Sequence, residues 1–112
     1  MANKSKWIRG GRVITATEDF TGDVLIMGGQ VQAVGADLKA LAGGAEEIDA
    51  KGLYVFPGGV DAHTHLDLPF MGTSSSDDFE TGTIAAAAGG TTSIIDFAIQ
   101  SHGKSLNDAL NV

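Results

Sequence analysis

Gly58-Gly59-Val60-Asp61-Ala62-His63-Thr64-His65 is the stretch on which the reading of this chain turns. Side chains on a β-strand alternate faces with period two, so a strand here aims both imidazoles to the same side, close enough to share one ion. Two neutral imidazoles on one face are half of a transition-metal site. Upstream, Leu53-Tyr54-Val55-Phe56 is an apolar run broken by Pro57-Gly58-Gly59. Downstream, Leu66-Asp67-Leu68-Pro69-Phe70 abandons alternation and reads, with the residues to Ser75, as a loop at a strand's carboxyl end.

Around this stretch the grammar divides in two. Before Pro57 short apolar runs alternate with glycine pairs: Trp7-Ile8-Arg9 before Gly10-Gly11, then Val13 to Thr17, Asp23 to Met27 before Gly28-Gly29, and Gln30 to Val34. That spacing predicts β-strands separated by turns. Val24-Leu25-Ile26-Met27, apolar on both faces, is expected to be central, and Gln30-Val31-Gln32-Ala33 half-buried. Leu38 to Ala45 is expected to form a brief helical turn, and the strand pattern returns at Ile48 and at Leu53 to Phe56. After Pro57 the order is strand (Val60 to His65), loop, helix (Asp77 to Ala88) and strand (Thr91 to Phe97). Asp77 with Glu80 is the expected helix cap, Gly89-Gly90 the expected exit, and Phe79 and Ile84 the expected core side chains. Ser105-Leu106-Asn107-Asp108 opens another helix with no exit signal before Val112, which predicts a chain that stops within a helix.

Composition narrows the function. The 112 residues carry 14 acidic and 7 basic side chains, a formal charge of -7, which argues against nucleic acid and anionic membrane surfaces as partners. A hydrophobic content of 43% predicts a folded chain. With no cysteine, any metal must be held by imidazole and carboxylate. Neither an apolar signal core nor a membrane-length apolar run is present, so a soluble, cytoplasmic protein is expected. The Asn3-Lys4-Ser5 sequon is then a chance match.

Taken together, Pro57 to Phe70, Asp77-Asp78-Phe79-Glu80-Thr81-Gly82-Thr83 and Gly89-Gly90-Thr91-Thr92-Ser93-Ile94-Ile95-Asp96-Phe97 resemble the amino-terminal part of the amidohydrolase superfamily, in its cyclic amidase branch of dihydropyrimidinases and hydantoinases. A weaker match extends from Ile8-Arg9-Gly10-Gly11 to Ile48-Asp49-Ala50-Lys51-Gly52. The resemblance implies an α/β fold, the start of a metal-dependent (β/α)8 TIM barrel, with residues 58–112 its first strands and helices and residues 1–57 the amino-terminal part of a small β-sandwich domain. It implies His63 and His65 as ligands at the carboxyl end of the first barrel strand, where such barrels keep their sites. It implies two divalent ions, zinc first with manganese or cobalt as substitutes, bridged by a carboxylated lysine outside this chain. The implied reaction hydrolyses the cyclic amide of a dihydropyrimidine or 5-substituted hydantoin to an N-carbamoyl amino acid, in a homotetramer. On the same grounds the 112 residues alone are expected to be inactive.

Within the branch, dihydroorotases carry arginine two residues past the second histidine, where it pairs with a substrate carboxylate. Asp67 stands there, which disfavours such a substrate; allantoinases commonly have asparagine, from which Asp67 also departs. Leu68, Phe70 and Met71 are expected to line the pocket beside the ring substituent. Asp61 has two readings, orienting a ligand histidine from behind or capping a backbone amide. Asp96 reads as a structural hydrogen-bonding group and His102 as a solvated loop residue. Two other classes of function stay in view: a metal-free scaffold of the same family, disfavoured by the intact pair, and a small β-rich module without catalysis, which cooperative unfolding of this chain alone would favour.

Overall fold

A computed structural model describes residues 4–111, as two compact units that divide after Pro57. Asn3 of the sequon and Val112 lie outside the described residues, as does the side chain of Phe70. The fold is mixed α/β and rich in strands.

The first unit is one five-stranded sheet made of β1 (Lys6–Ile14), β2 (Asp19–Met27), β3 (Gln30–Gly35), β4 (Glu46–Asp49) and β5 (Tyr54–Val55). Its order is β3-β2-β1-β4, with β5 also on β1; β1 and β2 pair antiparallel, as do β2 and β3, while β4 and β5 run parallel to β1. The sequence places a turn at Gly10-Gly11, but β1 runs straight through it. Gly10 takes a φ of 68°, open to glycine alone without strain, and the β1–β2 register shifts between Ile8 and Gly11. The pair is a bulge inside one strand. The strand then ends at Ile14, earlier than Thr17, because the Thr15 hydroxyl accepts from the Thr17 and Glu18 amides and turns the chain.

The core of this unit is Trp7, Leu25, Leu38 and Ala42, with Ala33 and Ala45 against it. The helical turn expected at Leu38 to Ala45 supplies two of these, its Ala42 amide donating to the Leu38 carbonyl at 3.1 Å. Val24 and Leu25 are buried on opposite faces of β2, as the doubly apolar run predicts. Amid this apolar set sits Asp23, 3% exposed, accepting from Trp7 Nε1, the Gly10 amide and the Leu38 amide, each at 2.9 Å. A buried carboxylate needs such partners, and here two donors come from β1 and the third from the Leu38 turn.

The second unit runs β6 (Gly59–Thr64), β7 (Pro69–Phe70), β8 (Thr73–Ser74), α1 (Phe79–Ala88), β9 (Thr91–Asp96) and α2 (Leu106–Leu110). β6 and β9 pair in parallel, Val60 opposite Ser93 and Thr64 opposite Asp96, with α1 on the connection between them. Helix α1 starts two residues later than expected, and its cap is one residue later. Asp78 is its cap, accepting from the Thr81 amide at 2.7 Å while the Thr81 hydroxyl accepts from the Asp78 amide. Asp77 stays outside because its carbonyl is already engaged by the Asp67 amide and the Ser75 hydroxyl. Phe79 and Ile84, expected in the core, are 53% and 63% exposed. A parallel pair of strands has two faces to cover and one ten-residue helix to cover them, so among the described residues none of this unit is fully buried. No helix among the described residues is long and apolar enough to cross a membrane.

Candidate metal centre

β6 carries His63 on its fifth residue and ends at Thr64, so His65 is the first residue beyond the strand. Both side chains are exposed, and their Nε2 atoms lie 3.2 Å apart with the rings nearly perpendicular at 84°. Two nitrogens each 2.0–2.1 Å from one tetrahedral ion stand about 3.3–3.4 Å apart. The pair therefore fits two positions on a zinc-like ion. Among the described residues no third histidine, aspartate or glutamate joins them. Catalytic zinc takes about three protein ligands, so an ion held here would need at least one ligand beyond this pair.

Three contacts hold the pair. Asp61 Oδ1 accepts from the His63 backbone amide at 3.1 Å, so of its two readings the structure shows the amide cap. Phe97, just past β9, lies with its ring centroid 4.7 Å from that of His63 and 5.1 Å from that of His65. Asp96 Oδ2 accepts from the Thr64 hydroxyl at 3.1 Å and the Leu66 amide at 2.8 Å, while Oδ1 accepts from the Phe97 amide at 2.6 Å. The Leu66 amide leads the influences that hold the Asp96 carboxyl below the ordinary range, so it is an anion at neutral pH. Asp96 is thus the structural hydrogen-bonding group its sequence position suggests. The part played by Phe97 was invisible in sequence, where its only signal is an aromatic residue one place beyond a strand end.

Beyond His65 the chain is pinned residue by residue. The Leu66 amide goes to Asp96, the Asp67 amide to the Asp77 carbonyl at 2.9 Å, and the Leu68 amide to Ser75 Oγ at 2.8 Å. Leu66 also packs so closely on α1 at Gly82 that a methyl group there would overlap it. The stretch expected to be an open loop instead holds a hairpin, with Pro69 opposite Ser74 and Phe70 opposite Thr73. Met71 and Gly72 form its turn at φ values of 49° and 80°. Leu68 is half-buried at its base and Met71, 89% exposed, at its tip. His102 sits in an exposed turn closed by the Lys104 amide on the Ser101 carbonyl, as expected of a solvated residue.

This arrangement has close counterparts. The family model described as "Amidohydrolase family" matches residues 46–102. The D-hydantoinase of Geobacillus stearothermophilus is 53% identical over 106 residues, which cover 95% of this chain and 22% of that protein. The dihydropyrimidinase of Rattus norvegicus is 51% identical over 105 residues, covering 91% and 20%. Among solved structures, the dihydropyrimidinase from Brevibacillus agri NCHU1002 superposes with a TM-score of 0.89 at 57% identity, over 96% of this chain and 23% of that one. The chain spans about a fifth of the length of the curated relatives it matches. A histidine pair converging at the end of a βαβ strand, in a sequence half identical to these enzymes and matched by their family model, makes the chain a member of the amidohydrolase family.

Proposed function

We propose that these residues are one corner of a metal-dependent cyclic amidohydrolase, which opens the ring of dihydropyrimidines or 5-substituted hydantoins to give N-carbamoyl amino acids. The observation that carries this reading is the 3.2 Å convergence of His63 Nε2 and His65 Nε2. Relatives named D-hydantoinase and dihydropyrimidinase support the substrate class. In this reading residues 58–112 begin a (β/α)8 barrel and residues 1–57 belong to a β-sandwich domain. The remaining ligands, including a carboxylated lysine, come from later strands of the complete protein, a cytoplasmic homotetramer.

His63 and His65 hold the more buried of two divalent ions, zinc by the chemistry of an all-nitrogen, cysteine-free pair. A bound metal of this kind supplies a nucleophile from water at neutral pH and polarises an unreactive amide carbonyl. The chain's own residues do the rest of the local work. Asp61 fixes the His63 backbone, Phe97 walls the two rings, and Leu68, Phe70 and Met71 on the hairpin meet the ring substituent. Asp67, where a dihydroorotase has arginine, offers no cation to a substrate carboxylate. The test is an assay of the complete protein against dihydrouracil, an unsubstituted hydantoin, a 5-phenylhydantoin and dihydroorotate. Turnover of the first three and not of the last supports the reading, and hydrolysis of dihydroorotate alone contradicts it.

A further inference from the structure

Period-two alternation places His63 but cannot place His65. β6 ends at Thr64, and its register with β9 slips between Asp61 and Thr64, so the second histidine sits where ladder hydrogen bonds no longer define the backbone. Something else must bring its Nε2 to 3.2 Å from that of His63. The residues on either side of His65 both end on one atom: the Thr64 hydroxyl and the Leu66 amide converge on Asp96 Oδ2, at 3.1 and 2.8 Å. The Ile95 carbonyl, 3.3 Å from the Thr64 hydroxyl, is a second acceptor on β9 within reach of the same proton. The other Asp96 oxygen takes the Phe97 amide, and the Phe97 ring touches both imidazoles. One carboxylate thus fixes the backbone under His65 and the aromatic wall beside the pair.

We propose that Asp96 is the positioning residue of the histidine pair, setting metal affinity and ligand geometry without touching the metal, by holding both chain neighbours of His65 on a single oxygen. The inference rests on the reading of His63 and His65 as ligands. It requires an acceptor at the Oδ2 position rather than a charge. Asparagine keeps one carbonyl oxygen for Thr64 and Leu66 but turns its NH2 group towards the Phe97 amide, so it preserves part of the effect, and alanine loses it.

The experiment uses the complete protein, stripped of metal and reloaded with zinc(II) or cobalt(II), and reads zinc affinity by chelator competition and the ligand-field spectrum of the cobalt form. Asp96→Ala is expected to weaken zinc binding by about 10–100-fold and to change the cobalt spectrum, with Asp96→Asn weakening it less than Asp96→Ala does. Thr64→Val, which removes one of the two bonds and leaves the carboxylate in place, is expected to weaken binding by about 2–10-fold and to shift the spectrum the same way. An Asp96→Ala protein that folds and binds zinc like wild type, with an unchanged cobalt spectrum, overturns the positioning role. So does an Asp96→Ala protein that fails to fold beside a Thr64→Val protein with unaltered affinity and spectrum, since Asp96 is then only part of the scaffold. A wild type that holds no zinc overturns the metal reading itself, and this inference with it.

Discussion

Asp23 shows how much of the first unit hangs on one side chain. Burial pushes its carboxyl up, but the Leu38 and Gly10 amides, the Trp7 indole and the charge of Arg9 outweigh this and hold it below the ordinary range. A carboxylate with a lowered folded pKa stabilises the fold fully above its unfolded value of about 3.9, and that contribution is lost as pH falls through the lower folded value. Acidification below about pH 4 is therefore expected to loosen β1, β2 and the Leu38 turn together, seen as loss of hydrogen-exchange protection at the Trp7 indole N–H and the Gly10 and Leu38 amides. Asp23→Asn is expected to cost about 1–3 kcal/mol at pH 7, because its NH2 group must face at least one of three N–H donors. Unchanged protection in Asp23→Asn would show that the three bonds do not hold the segments. In sequence Asp23 is only the polar start of an apolar run. Its role was illegible because its partners are 13 to 16 residues away.

Between elements, the hairpin after β6 is the feature with the clearest consequence for chemistry. Pinned amides at Leu66, Asp67 and Leu68 give it a fixed base. Trimming Leu68 or Phe70 to alanine in the complete protein is thus expected to alter selectivity rather than metal content. A hydrophobic contact of this kind discriminates by about 1–3 kcal/mol, so the ratio of kcat/KM for 5-phenylhydantoin over unsubstituted hydantoin should shift by about 5–150-fold. A constant ratio in both variants would remove the hairpin from the pocket. Asp78→Ala is expected to cost about 1 kcal/mol through loss of the α1 cap, with Asp77→Ala near neutral as a cap, and thermal unfolding of the two separates them. Sequence reading found β2, β6, β9 and α1, because their apolar or alanine-rich runs are bounded by strong signals, but it split β1 at Gly10-Gly11, where the glycines make a bulge rather than a turn. It missed the hairpin because Met71-Gly72 lacks the usual Asn-Gly or Asp-Gly pair and puts a bulky residue in the left-handed region. It set the α1 cap one residue early because two aspartates stand side by side, and only the reciprocal Thr81 hydroxyl decides between them.

For the whole chain the contrast between the units matters most. Every fully buried hydrophobic among the described residues lies in the first unit, while Val60, Ile95 and Phe97 of the second are about half exposed or more. Two parallel strands with open edges invite pairing with other chains. The 112 residues alone are therefore expected to be catalytically silent and to sediment as oligomers or aggregates, and a monodisperse, cooperatively unfolding monomer would contradict this. The family was legible because the motif residues are local in sequence; the shape of the site was not, because Asp96 and Phe97 reach the histidines from some 30 residues downstream. Whether the pair binds metal is settled most directly by elemental analysis of the complete protein beside its His63→Ala and His65→Ala variants. Each variant is expected to lose at least one tightly held metal equivalent and nearly all amidase activity, since few ligands surround such an ion. Full metal content with normal turnover in both variants would contradict the reading of His63 and His65 as ligands.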